Sequence, residues 1–136
     1  MSFKKGLFKK YAICFSVGGV GYGIIELLWR GRTHWTMIIA GGICFIIFSL
    51  IEENLEKKSV ILKSLLCSLA VTTVELIFGV IFNVWLGMKI WDYSKMPLNL
   101  LGQICPLYSL GWCVLALGVT PLVHILNRLF ACNQKV

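Results

Sequence analysis

Four runs of apolar residues, each long enough to cross a bilayer, limit this chain more than any other feature. They cover about residues 11–29, 34–51, 60–86 and 103–126. An α-helix rises about 1.5 Å per residue, so roughly 20 residues cross ~30 Å of hydrocarbon. Lipid offers no partners to backbone groups, which leaves helices or a closed barrel, and the runs lack the alternation of barrel strands. Composition agrees: 58% of residues are hydrophobic, 14% are charged and the mean hydropathy is +0.83. That is too little polar surface to cover a soluble globule. The expected fold is an all-α integral membrane bundle of four transmembrane helices, a single transmembrane domain over residues 1–136. The first run is not expected to be a cleaved signal, since it is long for an h-region, carries Glu26 and ends without a small-residue cleavage site.

Charge sets the expected orientation. Of the 13 Lys and Arg residues, nine fall on the side of the N-terminus: Lys4, Lys5, Lys9, Lys10, Lys57, Lys58, Lys63, Arg128 and Lys135. Arg30, Arg32, Lys89 and Lys95 fall on the other. The positive-inside rule then places both termini on the cytoplasmic side of a bacterial plasma (inner) membrane. Basic residues beside spans meet anionic headgroups, so membrane lipids are the expected partners and nucleic acid is not. The stretch 3–10 is read as a positive anchor along the membrane surface, and 52–58 as the linker between two helical pairs.

The two pairs resemble each other. Glu26-Leu27-Leu28 precedes Trp29, Gly31 and Trp35, and Glu75-Leu76-Ile77 precedes Trp85, Gly87 and Trp91-Asp92-Tyr93-Ser94. Two spans per unit would make this a parallel repeat, because an even number of crossings returns the chain to the same side.

Glu26 and Glu75 carry the strongest chemical signal. An ionisable residue inside a span costs about 2.5–3.5 kcal/mol on insertion scales, so it needs a partner, a water-filled cavity or a proton. Arg30 lies four residues after Glu26, on the same helical face and in the favourable order, so an ion pair is expected there. Glu75 has no such neighbour. It sits in a stripe of small and polar residues, Ser64, Ser68, Thr72, Glu75, Gly79, Asn83 and Gly87, of the kind that lets helices approach and exchange hydrogen bonds. Packing accounts for the stripe but not for a carboxylate within it. Gly19-x-x-x-Gly23 and Gly41-Gly42 mark points of close approach in the first two spans.

Two connections complete the candidate site. In the turn 29–36, Arg30 and Arg32 can grip an anion, Thr33 can cap the second span, and His34 and Trp35 lie beside them. The stretch 91–106 holds Trp91, Asp92, Tyr93, Asn99 and Gln103, residues that pack or bind where a plain linker would need only solvation. Pro97 can start a short helix, re-entrant or interfacial, which would point Asn99 and Gln103 the same way. Non-helical backbone here would be either a cavity lining or a packed plug. The expected ligand-binding set is Glu26, Arg30, Arg32, His34, Trp35, Glu75, Asn83, Trp91, Asp92, Tyr93, Asn99 and Gln103.

Several classes are excluded. The sequence has no Gly-x-x-x-x-Gly-Lys-Ser/Thr loop, no His-Glu-x-x-His, no Gly-x-Ser-x-Gly and no Cys-x-x-Cys. The six cysteines are scattered and read as small apolar residues, and the two histidines fall at opposite membrane faces. No cofactor and no metal are expected.

The ordered set Glu26, Trp29 to Met37, Gly41-Gly42, Glu75, Gly79, Asn83, Leu86-Gly87, Trp91 to Ser94, Pro97-Leu98-Asn99 and Gly102 to Cys105 resembles a bacterial membrane family known as putative ABC-transporter permease, CmpB-like. The resemblance runs from about Gly19 to the last span. It implies a small multispanning transport protein and carries over no catalytic residues. Four short spans are few for half of an ABC channel, so transport would require a homo-oligomer or other subunits, a separate ATPase among them. The expected function is a permease-like or ligand-binding membrane component for a small or lipidic molecule with an anionic group. Two alternatives stay open: an intramembrane enzyme acting on lipid, with Glu75 or Asp92 as acid or base, and a structural or adaptor protein.

Overall fold

Every apolar run becomes helix. The computed structural model describes residues 2–133 as α1 (Ser2–Arg30), α2 (Trp35–Asn54), α3 (Val60–Phe78) and α4 (Pro106–Asn133), with a π-helical segment, Gly79–Trp85, extending α3. Each of the four is long and apolar enough to cross a membrane. The chain runs up, down, up and down, so the α2–α3 turn shares one end of the bundle with the start of α1 and the end of α4. The α1–α2 turn and the residues from Leu86 to Cys105 share the other. Lys135 lies outside the described residues.

The helical pairs expected from the sequence are the main packing units. α1 makes its extensive contacts with α2 alone, α3 packs mostly on α4, and α2 also touches α3 and α4. The α1–α2 crossing is glycine-made: within Gly19-x-x-x-Gly23, Gly19 presses on the Ile38 carbonyl of α2, and its neighbour Gly18 presses on that of Gly41. A Cβ on Gly18 would strike the Gly41 carbonyl oxygen, and one on Gly41 would strike the Gly18 carbonyl oxygen, whereas Gly23 has room for a methyl group. The small-xxx-small spacing marked the close approach correctly at Gly19 but not at Gly23, and it missed Gly18, because which glycines meet α2 depends on the path of that helix.

Two other expectations are revised. The basic stretch 3–10 is the first part of α1, not a separate surface segment, and Lys10 pairs with Glu53 of α2. The linker is also shorter than 52–58. α2 continues to Asn54, and Glu52 is buried against Lys63 of α3 (2.9 Å) and His124 of α4 (3.0 Å). Ser49 and Asn127 add a mutual pair of hydrogen bonds between α2 and α4 (2.7 and 3.2 Å). Charged groups therefore tie the helices together at the terminal end of the bundle.

Candidate functional site

The stripe on α3 faces α4 and the long connection. Ser68 donates to the Ser109 carbonyl, and the Thr72 and Ser109 hydroxyls are 2.8 Å apart. One turn further, the Gln103 side chain lies so close to Gly79 that any Cβ there would overlap it. At this glycine the α-helix widens into the π-helical turns, with the Leu86 amide bonding back to Ile81 (3.1 Å). Wide turns of this kind arise where a side chain inserts beside the backbone, and they recur at functional sites.

The widened helix aims Asn83 at the connection. Its amide group donates to the Gln103 side-chain oxygen (2.8 Å) and the Trp91 carbonyl (3.1 Å), while its oxygen accepts the Ile90 amide (2.7 Å). Trp91 Nε1 donates to the Gln103 carbonyl (3.0 Å). The segment 91–105 holds no short helix. It is a set of turns closed by the Tyr93–Gly102 backbone bond (2.7 Å) and an isolated antiparallel bridge between Leu100 and Ile104. Lys89, Leu98 and Leu101 take left-handed backbone angles (φ 50°, 57° and 54°), each costing about 1 kcal/mol or more for a non-glycine residue. The segment is a packed cap, and Trp91 also lines the space beneath it.

The cap unites the two glutamates. Glu26 Oε2 lies 3.7 Å from Arg30 Nε, as the i,i+4 spacing predicted. Arg30 Nη2 donates to the Tyr93 hydroxyl (3.3 Å), and that hydroxyl donates to Glu75 Oε1 (3.4 Å). Tyr93 is buried and stacks on Tyr108, with ring centroids 4.4 Å apart. Burial first, then the Glu75 carboxylate, raises its phenol pKa above the ordinary value, so the hydroxyl stays a donor. A continuous Glu26–Arg30–Tyr93–Glu75 network thus joins the two helical pairs.

The remaining candidates divide. Gln103 and Asn83 pin the cap beside this network. Asn99 serves the cap's own turn, donating to the Ser94 and Met96 carbonyls and accepting the Gly102 amide. It does not point with Gln103, because residues 99–103 are not helical. Asp92 is exposed and accepts the Ser94 amide (2.8 Å), an interaction that lowers its carboxyl pKa from the ordinary value. His34, not Thr33, caps α2, its Nδ1 accepting the Thr36 amide (3.3 Å). Trp35 is exposed and sets its ring edge-on to Phe82. Arg32 and His34 line a small pocket of about 150 Å³ with Glu26, Thr33, Met88, Lys89 and Ile90.

Below the cap lies a cavity of about 260 Å³ that no single span announces. Its wall is almost wholly apolar and draws on all four helices, with Tyr22, Met37, Cys44, Val74, Trp91 and Trp112 among its residues. Glu75 is the one carboxylate on it among the described residues; it is 5% exposed, and its Oε2 has no hydrogen-bond partner. Trp112 lies beside it, its indole N–H also buried and unpartnered. The cavity is open to one side. α1 packs extensively only on α2, and Val17 and Ile25 of α1 and Leu122 of α4 stay exposed along the rim. The mouth therefore lies between α1 and α4, facing lipid. Sequence reasoning missed Trp112, whose signal was faint: an aromatic in an apolar helix, with no charged residue at helical spacing.

Four helices long and apolar enough to cross a membrane, enclosing a cavity with a buried carboxylate, define a membrane-embedded helical protein. The chain matches the family described as Putative ABC-transporter type IV over residues 11–135 and belongs to it. No curated protein and no solved structure matches the chain.

Proposed function

We propose that the protein is a permease-like or ligand-binding membrane component that takes a small apolar or amphipathic molecule from the bilayer into the central cavity. The cavity itself carries this reading. It has about 260 Å³ of free space, an apolar wall, a mouth on the lipid side and one buried carboxylate with an unused oxygen. An enclosed apolar cavity of about 150 Å³ already binds a molecule the size of benzene. Purely structural packing would close such a space, because each unfilled volume forfeits contact energy.

The anionic group expected from the sequence has no place in the cavity, where Glu75 would repel it. The small pocket with Arg32 and Lys89 suits an anion better, and Arg30 is already engaged by Glu26 and Tyr93. An enzymatic role has less support, since Asp92 is exposed and its carboxylate is engaged by the Ser94 amide of its own turn. Family membership fits a subunit that works with other membrane subunits and a separate ATPase, and the nine-to-four charge bias supports cytoplasmic termini with the cap on the far side.

Gly21 supplies the test. It lines the cavity, and nothing lies within 4 Å of where its Cβ would be. Gly21→Leu should therefore fold normally while filling the space. Native mass spectrometry of protein released from its own membrane should find an apolar molecule on the wild type and lose it in the variant. Equal retention by both would overturn the proposal.

A further inference from the structure

The two unpartnered polar atoms on the cavity wall are chemically unlike, and together they select a ligand. Glu75 Oε1 is taken by Tyr93, leaving Oε2 without a bond, and Trp112 Nε1 faces that carboxylate without reaching it in hydrogen-bond geometry, so a small group between the two can serve both. A buried polar group without a partner is costly, and its presence in a folded interior calls for a partner that would satisfy it. Resting on the ligand-binding reading above, we propose that the cavity's occupant is a membrane-dissolved alcohol, a hydroxyl group on an apolar chain. The hydroxyl donates to Glu75 Oε2 and accepts from Trp112 Nε1, and the chain leaves between α1 and α4.

Other headgroups fit less well. An ammonium would satisfy Glu75 but has no lone pair for the indole N–H. A carboxylate or phosphate would accept from Trp112 and meet repulsion from Glu75. A plain hydrocarbon would leave both atoms unpartnered. A hydroxyl serves both and tolerates either protonation state of Glu75. If Oε2 carries a proton, it becomes a second donor to the hydroxyl oxygen, which has two lone pairs. The cavity also suits the chain: Gly21 leaves the α1 side of the wall open, and Val17, Ile25 and Leu122 continue an apolar surface out to lipid.

The experiment uses the full chain in nanodiscs and equilibrium binding of four radiolabelled probes of equal chain length: decanol, decylamine, decanoate and decane. Decanol should bind at least ten-fold tighter than the other three, a factor that one well-made buried hydrogen bond supplies. Trp112→Phe, which keeps a ring and removes the N–H, should weaken decanol about ten-fold and leave decylamine unchanged. Glu75→Gln should weaken decylamine more than decanol. Gly21→Leu should abolish saturable binding of every probe. If decylamine or decanoate binds best and Gly21→Leu still blocks it, the cavity is a ligand site but the hydroxyl assignment is wrong. If Trp112→Phe leaves decanol binding intact, water alone satisfies the pair and the assignment falls. If no probe shows binding sensitive to Gly21→Leu, the ligand-binding proposal itself fails.

Discussion

Lys63→Met tests whether charge holds the terminal end of the bundle together. Lys63 is 5% exposed, its Nζ lies 2.9 Å from Glu52 Oε2, and Glu52 is 4% exposed. Methionine keeps most of the volume and removes the charge, so packing loss is small and the effect comes from stranding Glu52. Removing one partner of a buried ion pair costs about 3–5 kcal/mol. His124 remains 3.0 Å from Glu52 Oε1 and can still satisfy that oxygen, which places the expected loss at the lower end, about 3 kcal/mol. For a chain of this size that lowers the unfolding midpoint by on the order of 10 °C. Glu52→Gln alone should also destabilise, by stranding Lys63. The double variant Lys63→Met/Glu52→Gln should recover at least half of the summed loss, because no unpaired charge is left between α2 and α3. Thermal unfolding of the four proteins in one detergent, followed by circular dichroism, gives the cycle directly. Strictly additive losses, or a Lys63→Met protein within about 0.5 kcal/mol of wild type, would refute the claim that this pair couples the helices.

Other outcomes follow from the same geometry. Gly18→Ala should cost about 1–3 kcal/mol, since its methyl group meets the Gly41 carbonyl of α2, while Gly23→Ala should be neutral or stabilising by about 0.5–1 kcal/mol; the reverse order in thermal scans would contradict the placement of the crossing. Glu26→Gln should weaken the hold on Arg30 and cost about 1–2 kcal/mol, softened by the Tyr93 hydroxyl, with part recovered in Glu26→Gln/Arg30→Gln; a cycle without coupling would dissolve the pair. Asp92 has a lowered pKa in the folded chain, so its contribution is complete above the unfolded carboxyl value and is lost as pH falls through the folded one; acid should speed hydrogen exchange at Ser94, and Asp92→Asn should remove that dependence. Cysteine accessibility should place Lys4 and Lys57 on the cytoplasmic side, and an external Lys57 would invert the orientation.

The helices were legible because lipid imposes a length and a composition that no other fold meets, and the division into pairs followed from one charged break. The Glu26–Arg30 pair was legible because i,i+4 spacing is a local property of a helix. Errors began where the answer depended on a second element. Gly18, Gly19 and Gly23 look alike in sequence, and only the path of α2 decides that the first two are pressed against it and the third is not. Glu52 read as linker because it belongs to a run of charges, yet one helical turn carries it back between Lys63 and His124, residues 11 and 72 positions away.

The site shows the same limit more sharply. Glu75 was identified by its cost, which a sequence displays, but its surroundings came from elsewhere: Tyr93 from the connection, Arg30 through that tyrosine, and the facing indole of Trp112 from the last helix. The cavity was invisible for a related reason. An empty volume is the difference between the space that helices enclose and the side chains that fill it, so it needs all four helices at once, while each contributes only ordinary apolar residues. Gly21 illustrates this. In sequence it is one more small residue in a glycine-rich span, apparently made for packing like Gly18, three positions earlier. In the structure Gly18 meets α2 and Gly21 meets nothing. Three residues turn a helix by about 300°, and of these two glycines on the cavity wall that leaves one pressed against α2 and the other facing open space. A residue's size therefore marks where another group can come close, and only the assembled bundle decides whether that group is a neighbouring helix or a ligand.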